Sequence, residues 1–118
     1  MQKEKIVDKI KEFFKPKNQE IEVMILEDVA NKISYEVRFK EPIQLSEEEY
    51  RNLQNLITGL HFSIIDSWET IGDYTYERKS YLGVEEYQNK DETEIDIFYT
   101  RVWTKNDTIY FLDKIWIE

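Results

Sequence analysis

The chain has 118 residues, a formal net charge of −9 and no cysteine. That length fits one domain spanning 1–118, with a single core. The missing cysteine excludes a disulfide framework, a thiolate zinc site and a cysteine nucleophile together.

Residues 3–15 read as an amphipathic helix. Ile6, Ile10 and Phe13 recur at spacings of three and four beside Val7 and Phe14, with Lys and Glu on the other face. Pro16 is expected to end it. IEVMILEDV, 21–29, and ISYEVRF, 33–39, read as two strands joined by a turn at Ala30-Asn31-Lys32, with Pro42 closing the section. LSEEEYRNLQNLITG, 45–59, carries the signature of a capped helix. Ser46 and Glu49 form a capping box, Leu45 and Tyr50 a hydrophobic staple, and Tyr50, Leu53 and Ile57 a buried stripe. Glu47 and Arg51 are spaced for an ion pair, and Gly59 for a C-cap.

After Gly59 the apolar period changes from 3.6 to 2. HFSIIDSWETI, 61–71, reads as a strand closed by a Gly72-Asp73 turn, and 74–87 as a longer strand bulged near Gly83. TEIDIFYTRVW, 93–103, and TIYFLDKIWI, 108–117, follow around a Lys105-Asn106-Asp107 turn. The last strand is apolar on both faces, as central strands are. The expected fold is therefore α+β: an antiparallel sheet made of an N-terminal hairpin and a C-terminal four-strand meander, with two helices packed on one face.

The chemistry-bearing patterns are sparse. His61 is a lone histidine, and the glycines at 59, 72 and 83 are too far apart for a phosphate loop. No nucleophile motif or calcium-loop spacing is present, so neither an enzyme nor a metal or cofactor is expected. The N-terminal stretch lacks the apolar core of a signal peptide, and no apolar run approaches a membrane span, so a cytoplasmic protein is expected. Residues 1–20 carry a net +2 while 21–83 and 84–118 carry −6 and −5. An acidic body disfavours direct nucleic-acid binding and favours a basic protein partner.

The stretch EEYQNKDETEID, 85–96, concentrates this charge, with six acids and one lysine. The candidate partner-binding residues are Glu85, Glu86, Tyr87, Asp91, Glu92, Glu94 and Asp96. Glu94 and Asp96 stand ~6.7 Å apart on one face of a strand, and the preceding strand brings a second row of acids. Such a surface can occupy an Arg/Lys groove built for DNA or RNA, with Tyr87 as a flat contact. The bland alternative is a solvated outer strand face and loop tip. The aromatic-rich meander and its two-sided last strand also allow a sheet-face homodimer.

From Ile43 onward, IQLSEEEYRNLQ as a capped helix, followed by strands and a closing hairpin of DIFYTRVW and TIYFLDKIWI, resembles small acidic anti-CRISPR proteins of rod-shaped archaeal viruses. The resemblance covers residues 43–117 and is one of residue types in order. It implies a dimeric viral protein that blocks a CRISPR effector through an acidic face, and it carries over no individual residue. An immunity protein or antitoxin that neutralises a basic toxin fits the same charge, and a small-ligand-binding α+β domain is the alternative of another class.

Overall fold

A computed structural model describes residues 3–17, 21–75 and 78–118, with the backbone alone at 69–75 and 78–81. Helix α1 (Lys3–Phe14) is followed by a 3-10 turn (Lys15–Lys17), strands β1 (Ile21–Glu27) and β2 (Ile33–Ser46), helix α2 (Glu47–Gly59), and strands β3 (Ser63–Thr75), β4 (Arg78–Gln88), β5 (Glu94–Thr104) and β6 (Thr108–Ile117). All strand pairs are antiparallel, and the sheet has six strands in the order β1-β2-β6-β5-β4-β3. The fold is α+β. The apolar β6 sits between β2 and β5, where it joins the hairpin to the rest of the sheet.

Both helices cover the same face. Tyr35, Ile117, Ile95 and Tyr87 stand directly opposite one another across β2, β6, β5 and β4, so their side chains share that face. Tyr35 donates to Glu4 of α1 at 2.7 Å, and the Tyr110 ring of β6 stacks on Tyr50 of α2 at 4.0 Å. Ile6, Val7, Ile10 and Phe14 of α1 and Tyr50, Leu53 and Ile57 of α2 close a core with Val37, Ile43, Leu45, Ile97, Leu112 and Ile115. Burying such side chains contributes roughly 1.5–3 kcal/mol each, which is what holds short helices that would be marginal alone.

The capping box forms as expected, with Ser46 Oγ accepting from Glu49 N at 3.1 Å and Glu49 Oε1 accepting from Ser46 N at 3.1 Å. Arg51 pairs with Glu47 at 3.0 Å, and Glu49 also pairs with Lys17. Helix α1 ends at Phe14, just before Pro16 as expected, and Pro16 lies in the 3-10 turn that follows. Several boundaries differ from the sequence expectation, each for a local reason. Gly59 is the last helical residue, and the C-cap is Leu60. His61 lies in the turn after α2 with φ 68, not in a strand.

Pro42 does not close β2. It falls where the β2–β6 register shifts between Arg38 and Ile43, so the ladder needs no N–H from it. Gly72-Asp73 is no turn. The backbone there stays in β3, and the register with β4 shifts between Ile71 and Tyr74. The strand expected over 74–87 is divided between the end of β3 and β4, and its residues 76–77 lie outside the described residues. Nor is Gly83 a bulge: it pairs in register with Tyr99, and a Cβ there would lie 2.5 Å from Tyr99 Cζ. The glycine makes room for a ring laid over the strand.

Candidate interaction face

The face of the sheet away from the helices is organised in cross-strand rows. One row runs Met24, Glu36, Trp116, Asp96, Glu86, Asp66 through directly paired positions on β1, β2, β6, β5, β4 and β3. The next runs Glu22, Arg38, Lys114, Phe98, Val84, Trp68. Neighbouring positions within a row lie ~4.8 Å apart and the rows ~6.7 Å.

The two halves of this face differ in charge. On the β2–β6 side, Glu36 is buried and neutralised, pairing with Arg38 at 3.0 Å and with Lys114 at 4.0 Å, while Lys114 also lies 4.7 Å over the Phe98 ring. On the β5–β4–β3 side, Asp96, Glu86 and Asp66 stand side by side, and among the described residues none of the three is in an ion pair. Like charges directly opposite one another on strands are destabilising. The effect is visible at Asp96. Its burial, and then the charges of Glu86, Glu94 and Glu118, push its carboxyl up to about 6. Its Oδ1 is buried without a hydrogen-bond partner.

The seven residues singled out in the sequence part company here. Glu86 and Asp96 lie on the open face, directly opposite each other. Glu94 stands two residues from Asp96 on the same face, its backbone paired with Glu118 and its Oε1 3.5 Å from Gln88 Nε2. Asp91 and Glu92 occupy the β4–β5 turn and are exposed. That turn is ordered by Asn89, whose Oδ1 accepts from the backbone of Asp91 and Thr93 at 3.0 Å each, with Glu92 at φ 62.

Tyr87 and Glu85 do not belong to the open face, and this corrects the sequence expectation. Tyr87 is 0% exposed. Consecutive strand residues point to opposite faces, so Glu85 turns inward with Tyr87 and only Glu86 turns out. Beneath α2, Glu85 Oε2 accepts from Tyr50 at 3.0 Å, Gln54 at 2.7 Å and Tyr87 at 2.8 Å. Burial first, and then the Glu85 carboxylate, push both tyrosine hydroxyls far up, which keeps them as donors. This carboxylate ties β4 to α2 and is structural.

Sequence reading missed Asp66. Ile64 pairs with Tyr87 on the covered face, and strict alternation would put Asp66 beside it. A register shift between Ile64 and Asp66 instead sets Asp66 opposite Glu86 on the open face. No local pattern announces that bulge.

Among the described residues no group of three or more His, Asp or Glu could hold a metal ion, and no helix is long and apolar enough to cross a membrane. No protein-family model, curated protein or solved structure matches the chain.

Proposed function

We propose that the protein is a small acidic inhibitor that sits in the cationic groove of a nucleic-acid-handling partner and competes sterically and electrostatically, without a chemical step. The observation that carries this reading is the row of Asp66, Glu86 and Asp96, held in register on a face without helices and without cationic neighbours in the row. A fold that sets like charges directly opposite each other gives up stability for them, and a cationic partner restores it on binding. The row places one charge per ~4.8 Å, nearer the ~3.4 Å axial spacing of a single nucleic-acid strand than the ~1.7 Å of a duplex. A groove built for one strand is thus the better fit. An anti-CRISPR or similar anti-defence inhibitor of viral origin is the role that also accommodates the family resemblance, with the host cytoplasm as its site of action.

The test uses the immobilised full chain as bait in host lysate, with elution by a single-stranded oligonucleotide. Wild type is expected to release nucleic-acid-binding proteins, and the Glu86→Lys/Asp96→Lys variant to hold none of them. Identical capture by the two proteins, or captured proteins that the oligonucleotide does not displace, would sink the reading.

A further inference from the structure

The row beside the three acids is apolar. Trp68, Val84 and Phe98 lie next to Asp66, Glu86 and Asp96, and Leu82 extends the patch one step further along β4. Val84 is packed between its neighbours, but Trp68 and Leu82 each keep 47% of their surface open to water. A surface that only imitated phosphates would gain nothing from exposed indole and leucine beside its carboxylates. Apolar area adjoining unpaired charge of one sign marks a contact with another macromolecule.

We infer that this half-face receives a basic amphipathic helix of the partner protein. The helix's Lys/Arg stripe lies along Asp66, Glu86 and Asp96, and its apolar stripe lies on Trp68, Val84, Phe98 and Leu82. The inference deepens the proposed function and rests on that reading. Charge complementarity selects a cationic occupant, and the adjoining apolar row selects an amphipathic one.

The dimensions agree. A helix presents one side chain per turn every ~5.4 Å along a stripe, close to the ~4.8 Å between the strands that carry the acids. Three acids span ~9.6 Å, about two turns. The two rows, ~6.7 Å apart, both lie under a helix ~10 Å wide. A second copy of this chain fits worse. It would bring its own acid row, while Arg38 and Lys114 of this face already pair with Glu36.

The experiment measures binding of two labelled Leu/Lys peptides of about 14 residues by fluorescence anisotropy, at about 0.1 M and about 0.5 M NaCl. One carries lysines once per turn with an adjacent leucine stripe; the other has the same composition in scrambled order. The amphipathic peptide is expected to bind about tenfold tighter and to keep measurable affinity at the higher salt. Trp68→Gln/Leu82→Asn is expected to remove that tenfold advantage and leave the scrambled peptide's affinity unchanged. Glu86→Gln/Asp96→Asn weakens both peptides. Equal affinity for the two peptides, with both lost in Glu86→Gln/Asp96→Asn, overturns the amphipathic helix and leaves the acid-row reading standing. Amphipathic binding that ignores Glu86→Gln/Asp96→Asn overturns both. Absence of binding by either peptide, or a stable dimer that shields Trp68 from a soluble quencher, overturns the inference.

Discussion

Replacing Asp96 with asparagine is expected to stabilise the protein while weakening its interaction. The Asp96 carboxyl is raised from 3.8 to about 6, by burial first and then by Glu86, Glu94 and Glu118. About two units correspond to ~3 kcal/mol of penalty on the charged form if undiminished. The side chain is only half-buried, so solvent screening reduces this to ~1 kcal/mol. The sign follows from a folded-state pKa above the unfolded one. Below pH ~4 the carboxyl is protonated in both states and costs nothing. Between pH ~4 and about 6 the folded protein is progressively penalised for ionising it, and above that the whole penalty is present.

Asp96→Asn should therefore raise Tm by ~4 °C at pH 8, taking ~2.1 cal/mol/K of unfolding entropy per residue over the chain. The gain should fade to nothing near pH 4. Added salt should shrink it only in part, because salt screens the neighbouring carboxylates but not the burial. The assay is thermal unfolding by circular dichroism at both pH values. An unchanged Tm at pH 8, or the same gain at pH 4 as at pH 8, would mean that ionising Asp96 costs the fold nothing. If the stabilised variant also binds basic probes less well, the row is a site where stability is given up for binding.

Two further predictions concern what holds the face in place. Glu85→Ala leaves the hydroxyls of Tyr50 and Tyr87 and the Gln54 amide without their shared acceptor, and should cost roughly 2–4 kcal/mol in urea unfolding. Glu85→Gln keeps an acceptor oxygen and should cost about half as much; equal losses would show that the three bonds contribute nothing. Gly83→Ala pushes a methyl group to 2.5 Å from Tyr99 Cζ, and should cost about 1–3 kcal/mol through overpacking. Its penalty should shrink in a Tyr99→Val background, and an undiminished penalty there would assign the loss to the backbone instead.

The features that depend on neighbours in the chain are legible from residue order alone. The α+β class, the capped helix from Ser46, the stripe of Tyr50, Leu53 and Ile57, and the central place of β6 all follow from period and capping. The acidity of 85–96 was equally plain, and so was the outward pairing of Glu94 with Asp96.

Which acids meet depends on how the strands pair and pack. Glu85 and Glu86 are adjacent glutamates with the same local signal, and the burial of Tyr87 sends one inward and the other out. Asp66 joins the row because a bulge in β3 reverses its side, and Pro42 is tolerated because a register shift in β2 removes the need for its N–H. A strand's side chains alternate with period two, which separates Glu85 from Glu86, and an extra residue in the pairing moves the following side chains to the other face, which places Asp66 beside Glu86. Where that extra residue falls is set by the packing of the whole sheet beneath its helices.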